Sequence, residues 1–264
     1  MSWSHPEFEL VDHPGASVWA RPPAVPWVRY VLEGSDTLHR AAAGDRGAVA
    51  LEGREPVYII PAKVPRKGES PEPGRWAVRH YVRGGRVFPH LLGDRYLRVG
   101  RIRPIHELEV SELARARGIA TPRVIAAALY PSRFSYRADL VTEFIPDAAS
   151  LVEALFDTER KGVGGALERQ DALRASGELI REMADAGIQH RDLHAGNVLL
   201  RWEGSAPEAH ILDLDRCEVA ANGRSLPSGP MLRRLQRSLR KWEGWTALRL
   251  TEKEWSTLEA ATAG

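Results

Sequence analysis

Between Ala186 and Leu200 the sequence reads AGIQHRDLHAGNVLL, and from His210 to Val219 it reads HILDLDRCEV. Asp192 precedes Asn197 by five residues, and a second strand-like run ends at Asp213. This set suits phosphoryl transfer, which needs a positioned acceptor hydroxyl, metal ions on the phosphate oxygens and stabilisation of developing charge. Asp192 is the candidate to accept the acceptor's proton. Asn197, through its amide oxygen, and Asp213 are the candidates to hold magnesium, a cation that prefers oxygen ligands shared with substrate phosphates. Taken singly, an Asp or Asn here reads as a turn residue, and an Asp after a strand as a helix cap. The ordered run of all of them is what points to chemistry. His194 is a candidate for substrate or structural hydrogen bonding, and Asp215 for capping, arginine pairing or metal contact.

Those residues require particular elements around them. Leu173, Gly177, Ile180 and Ala184 recur at helical spacing, and Gly187 stops that helix just before the motif. NVLLRW and AHILDL read as two strands joined by EGSAP, an arrangement that delivers Asp213 back beside Asn197. Upstream, Ser17 to Ala62 reads as short strands broken by Gly and Pro, and residues 63–74 as a polar connection between strands. RWAVRHYV resumes a strand. A helix is expected from about Ile105 to Arg117, stopped by Gly118 and Pro122. RVIAAALY and YRADLVTEFI read as two further strands, and Pro146 marks a break before the chain turns helical. The expected organisation is a strand-rich lobe over 1–145 and a mainly helical lobe over 146–264.

Composition narrows the function classes. With 264 residues, 43% of them hydrophobic and 27% charged, the chain has the balance of a globular protein able to bury a core, not of a disordered one. A formal charge of +2 does not by itself call for a nucleic-acid partner. One cysteine, Cys217, excludes an internal disulfide and suits a reducing, cytoplasmic setting. Neither a membrane-spanning run nor a secretory signal is evident, so membrane contact is expected to be peripheral. The opening WSHPEFEL differs at two positions from a streptavidin-binding purification tag, and residues 1–9 are set aside as tag-like or disordered.

The His-Arg-Asp loop with its step to Asn197 fits the catalytic loop of kinases. Together with WAVRHYVRGGRV, LLGDRYLRVGRIRP, RGIATPRVIAA, YRADLVTEFIPDAASL, ILDLDRC and LRRLQRSLRKW, it makes the chain resemble the lipopolysaccharide kinase family over roughly Arg75 to Trp242. Within that family the likeness is nearest the members acting on 3-deoxy-D-manno-octulosonic acid (Kdo). The resemblance implies an α+β, two-lobed protein-kinase-like fold with an antiparallel β-rich N-lobe and a helical C-lobe, with ATP and magnesium between them. It implies that Arg79 stands where such kinases carry a strand lysine on the nucleotide phosphates, a departure, since arginine and lysine are not interchangeable. Arg79 either holds phosphate differently or structures the lobe. Glu107 is the implied partner of that base; Glu109 points about 200° away on the same helix. Gly44 and Gly47 offer a thin phosphate-covering loop, and the backbone of Glu143, Phe144 and Ile145 is implied to meet adenine.

No A-P-E motif follows Asp213, which weighs against a protein acceptor. Arginines at 75, 79, 83, 86, 95, 98, 101 and 103, with Asp94 the sole acid among them, would attract an anionic acceptor, or else form a solvated basic face. The resemblance implies Kdo-lipid A as acceptor, phosphorylated at the Kdo 4-position, and peripheral attachment to the cytoplasmic face of the inner membrane. The stripe Leu232, Leu235, Leu239 and Trp242, with five basic residues largely on other faces, either lies on anionic membrane or is packed core. A heptose kinase of the same family, a soluble small-molecule phosphotransferase and a pseudokinase acting as a binding module are the alternatives.

Overall fold

The computed structural model describes residues 4–34, 37–51, 55–62, 74–82, 94–98, 100–156, 166–204 and 206–264. Most of the connection read at 63–74, and Arg83 and Arg86, fall outside them. The chain forms two compact units, Met1–Leu108 with Arg123–Phe144, and Glu109–Pro122 with Ile145–Gly264.

The first unit is built on an antiparallel sheet of eight strands. In chain order they are β1 (Glu9–His13), β2 (Ala16–Ala20), β3 (Val49–Leu51), β4 (Val57–Pro61), β5 (Arg75–His80), β6 (Tyr96–Leu97), β7 (Val124–Pro131) and β8 (Ser135–Glu143). Their spatial order is β1-β2-β7-β8-β5-β4-β3, with β6 added to β8. Alternation along the strands makes two apolar faces. One buries Trp76, Val78 and Val141 with Trp27, Val28 and Leu38. The other buries Tyr81, Ala138 and Leu140 with Ile105 and Leu108.

The first of these faces is covered by α1 (Val25–Gly34) and α2 (Leu38–Ala43), helices that the strand reading of 17–62 did not contain. Pro22 and Pro23 read as breakers, but they form a 3-10 turn that leads directly into α1, and a proline is tolerated where a helix begins because its missing N–H would have no partner there. Thr37 starts α2 by accepting from the Arg40 N–H. The other face receives the first half of α3 (Arg103–Ala116). From Glu7 the chain already belongs to this unit. Phe8 is buried, the Arg21 guanidinium lies 4.5 Å from its ring centre, and Arg21 also pairs with Glu7.

The second unit contains α4 (Leu151–Phe156), α5 (Ala166–Asp185), α6 (Gly229–Trp245) and α7 (Glu252–Ala263). A three-stranded sheet runs β12-β11-β9, from β9 (Ala148–Ser150), β11 (Val198–Glu203) and β12 (Ala206–Ile211). A smaller one pairs β10 (Ile188–His190) with β13 (Cys217–Val219). α5 and α7 approach closely at Gly177, where a Cβ would stand 2.7 Å from the Leu258 carbonyl oxygen and from the Ala261 Cβ. α7 begins with a reciprocal capping box between Thr251 and Glu254, and Glu254 also accepts from Arg169 at 2.6 Å.

The division differs from a single cut after residue 145 in one stretch. Residues 109–122 cluster with the second unit because Val110, Ala114 and Ile119 join its core and the Ile211 N–H donates to the Ala120 carbonyl at 2.9 Å. The Thr121 hydroxyl donates to the Ile211 carbonyl at 2.8 Å.

Candidate active site

In the second unit, the chemistry-bearing residues are set by the junction of α5 with the β10–β13 strand pair and the β11–β12 hairpin. Gly187 ends α5 at φ +70, and a Cβ there would meet the Arg224 carbonyl oxygen at 2.7 Å, so this turn requires glycine on two counts. The chain then enters β10, whose pairing with β13 sets His190 opposite Cys217.

His190 is fully buried. Its Nδ1 lies 3.2 Å from the Asp192 N–H nitrogen, and its Nε2 3.2 Å from the Leu212 carbonyl oxygen. A backbone N–H can only donate, so Nδ1 accepts, and the ring proton sits on Nε2 and goes to Leu212. Burial disfavours the imidazolium and holds the His190 pKa below its usual 6.5 despite that carbonyl and nearby carboxylates. The Leu212 N–H in turn donates to the Asn197 carbonyl at 2.9 Å. Both backbone groups of Leu212 are therefore gripped by the loop that carries Asp192 and Asn197.

This grip continues the β11–β12 hairpin, in which Val198 pairs with Ile211. Asn197 and Asp213 therefore flank adjacent strand ends. Asn197 is 7% exposed, and its amide nitrogen is directed at the Asp192 carbonyl at 3.5 Å, which turns its amide oxygen the other way. Asp213 adopts φ 60, ψ 57 and makes no side-chain cap to the 3-10 turn that follows. A non-glycine residue in the left-handed region carries strain, which is common where a side chain is aimed for function. The Asp192 side chain is 55% exposed, and its Oδ2 lies 3.2 Å from Arg216 Nη1. His194 precedes the 3-10 turn Ala195–Asn197 in an extended conformation without capping it, and Asp215 lies within the turn Leu214–Arg216.

Among the described residues no group of three or more His, Cys, Asp or Glu could hold a metal ion. Asn197 and Asp213 supply two oxygen donors, which fits magnesium only if phosphate and water complete its shell, as that ion prefers.

In the first unit, Arg79 on β5 sits opposite Leu140 of β8, and its side chain reaches α3. Its Nη2 stands 2.7 Å from both carboxylate oxygens of Glu107. Tyr81, next on the same face of the strand, donates its hydroxyl to Glu107 Oε2, and the Arg79 guanidinium lies 5.0 Å from the Tyr81 ring centre. Glu107 is 3% exposed, whereas Glu109 is exposed. Gly44 caps the C-terminus of α2, and Gly47 lies in the turn leading to β3, where a Cβ would stand 2.9 Å from Pro61. Neither glycine links two strands. At the end of β8 the Glu143 N–H donates to the Arg123 carbonyl and the Phe144 N–H to the Arg75 carbonyl, both at 2.9 Å, and among the described residues the Ile145 N–H has no backbone acceptor.

Sequence reasoning missed three residues of this arrangement. Tyr81 shares the Arg79 face by strand alternation, which was a usable signal. Arg216 stands three residues after Asp213, but nothing local marks it as the partner of Asp192. The bridging role of His190 depends on Leu212, 22 residues away.

The family model of the lipopolysaccharide kinase (Kdo/WaaP) family matches residues 62–261. A Haemophilus influenzae protein named 3-deoxy-D-manno-octulosonic acid kinase is 32% identical over 190 residues, covering 70% of this chain and 74% of its own. A Vibrio cholerae protein of the same name is 34% identical over 167 residues, covering 62% of this chain and 65% of its own. Among solved structures, WaaP in complex with acyl carrier protein superposes with a TM-score of 0.54 at 17% identity, covering 93% of this chain and 88% of that one. That likeness shows the α+β, protein-kinase-like fold, with its β-rich and helical lobes. The extent of the family match, added to the fold, establishes that the chain belongs to the lipopolysaccharide kinase (Kdo/WaaP) family.

Proposed function

We propose that the protein transfers the γ-phosphoryl group of ATP to a Kdo hydroxyl, the 4-hydroxyl, on Kdo-lipid A in lipopolysaccharide core synthesis. The observation that carries this reading is the hold on Leu212, which keeps Asp192, Asn197 and Asp213 in one constellation. The curated relatives named as Kdo kinases support the acceptor.

The acceptor oxygen forms its bond to the γ-phosphorus as the bond to the departing ADP oxygen breaks, and the hydroxyl proton passes to the Asp192 carboxylate. Arg216 holds that carboxylate in place. Asn197 and Asp213 would hold magnesium, which when bound neutralises charge on the phosphates. Arg79, oriented by Glu107 and Tyr81, contacts the nucleotide phosphates, so the first unit binds nucleotide and the second carries acceptor and metal. At the Glu143–Ile145 segment, the Ile145 N–H is the donor that supports adenine contact.

No helix among the described residues is long and apolar enough to cross a membrane. Peripheral contact with the anionic inner membrane is supported on α6. Trp245 there is 62% exposed, and Lys241 Nζ lies 4.5 Å from its ring centre.

The decisive experiment is ATP-dependent transfer to Kdo-lipid A, heptosylated core and a soluble aminoglycoside in parallel, read by mass spectrometry. One added phosphate on Kdo-lipid A alone, lost in Asp192→Ala, is the expected result. Transfer only to another acceptor replaces the substrate, and no transfer with magnesium present favours a binding module.

A further inference from the structure

On the first unit, a cavity of about 330 Å³ opens where the β1–β2 turn meets the end of β7. His13, Gly15, Tyr130, Ser132, Arg95 and Arg137 line it, and among the described residues no carboxylate does. Its size is that of small-ligand pockets. Strand register explains the convergence of charge. Tyr130 pairs with Arg137 across β7 and β8, while Leu97 of β6 pairs with Ser135, so Arg137 and Leu97 share a sheet face. Arg137 forms an ion pair with Asp94 at 3.8 Å, a separation beyond hydrogen-bond reach that leaves its N–H groups free to turn toward an anion. Tyr130 is held by its own bonds. Its hydroxyl donates to Asp139 at 2.9 Å and accepts the Leu38 N–H at 2.8 Å.

Beside this basic pocket lies an apolar rim with no packing reason to be apolar. The turn that begins at Ser132 is closed by its N–H on the Ser135 carbonyl at 2.7 Å, and it projects Phe134, which is 68% exposed. Leu97, 45% exposed, is tied to the same turn, since the neighbouring Arg98 N–H donates to the Phe134 carbonyl at 3.1 Å. Arg98, Arg101 and Arg133 are exposed alongside, with the Arg133 guanidinium 4.9 Å from the Phe134 ring centre. A soluble anion would account for the pocket but not for the rim. A bilayer surface accounts for both, because its phosphates and its acyl boundary lie side by side.

We infer that this edge of the first unit docks on an anionic lipid surface, with a phosphodiester headgroup in the His13–Arg95–Arg137 pocket and Phe134 and Leu97 in the interface beside it. The inference deepens the reading of a glycolipid acceptor but needs neither ATP nor that acceptor. It is separate from the contact proposed on α6.

The test is co-sedimentation of the full chain, without nucleotide, with vesicles of phosphatidylcholine alone or mixed with phosphatidylglycerol. Binding is expected only to the mixed vesicles. Arg95→Ala and Arg137→Ala should each weaken it about fivefold, the scale of one basic residue at an anionic surface. Phe134→Ser, at a position 68% exposed, should weaken it about tenfold through lost apolar contact. Circular dichroism of each variant verifies the fold. Wild-type protein that ignores the mixed vesicles overturns the inference. So does wild-type binding by all three variants, or loss of binding only in Trp245→Ala and Lys241→Ala. Transfer to detergent-solubilised Kdo-lipid A, measured on the wild type, reports the kinase reading separately.

Discussion

A single nitrogen of Arg79 bridges both oxygens of Glu107, at 2.7 Å to each, while Tyr81 donates to the same carboxylate. The Glu107 side chain is 5% exposed and that of Arg79 31%, so the acid is committed to the interior and the base keeps partial contact with solvent. Breaking a buried pair by removing one partner costs more than the pair itself contributes, because the other charge is left uncompensated.

Arg79→Ala should therefore destabilise the protein by about 2 kcal/mol, below the buried-pair range of about 3–5 kcal/mol because Arg79 keeps solvent contact. Arg79→Lys retains charge and should recover most of that loss. If Arg79 only structures the lobe, Lys also restores transfer; if its planar head meets phosphate, transfer stays impaired. Urea denaturation alongside the ATP dependence of transfer separates the two.

Asp192→Asn should leave the fold intact, since the side chain is largely exposed, and reduce transfer about a hundredfold or more through loss of the proton acceptor. Nucleotide affinity, measured by titration calorimetry, should be nearly unchanged. Arg216→Ala should have a smaller effect on stability than on rate, because an exposed pair contributes at most about 1 kcal/mol.

Two histidines give opposite pH dependences. His80 is paired with Asp139 at 2.6 Å and Asp94 at 3.2 Å. Burial opposes its charged form, but the hydrogen bond to Asp139 and the charges of both acids prevail, and its pKa is raised from 6.5. Its contribution is therefore complete below pH 6.5 and is lost as pH rises through the raised value. His190, held below 6.5, weakens the fold as pH falls beneath that point, when the unfolded chain takes up the proton first. Denaturation profiles of His80→Gln and His190→Gln should each flatten on one side only, the first on the alkaline and the second on the acid side.

At Gly177 two effects compete. Alanine favours a helix over glycine by about 1 kcal/mol, but overpacking costs about 1–3 kcal/mol. With the Leu258 carbonyl oxygen at 2.7 Å from the added Cβ, and backbone unable to give way cheaply, overpacking should win. Gly177→Ala is expected to lower the thermal midpoint, and a midpoint equal to or above wild type would refute the close helix contact.

Much of the second unit could be read from the sequence because its signals are local. Gly187 stops a helix, and two strands with a short link must return Asp213 to Asn197. The first unit was less legible. Prolines 22, 23 and 26 hid α1 by resembling breaks, and Gly44, taken for part of a loop between strands, caps a helix too short to show a period. The buried group of His80, Asp139 and Tyr130 is assembled by strand pairing across 59 residues, and Asp139 has no local mark beyond its place in an apolar strand. The arginine pocket is of the same kind, formed by register and not by any motif.

The assignment of residues 109–122 to the second unit has a consequence for how the chain is made. This piece leaves the ribosome before β7 and β8, which complete the first sheet, yet its apolar partners at Leu173, Ile180 and Ile211 are translated only afterwards. The second unit thus holds part of its own interior in advance, and a chain started after residue 145 would be born without Val110, Ala114 and Ile119. The second half is therefore not a self-contained fragment, and expressed from residue 146 alone it is expected to be recovered poorly folded.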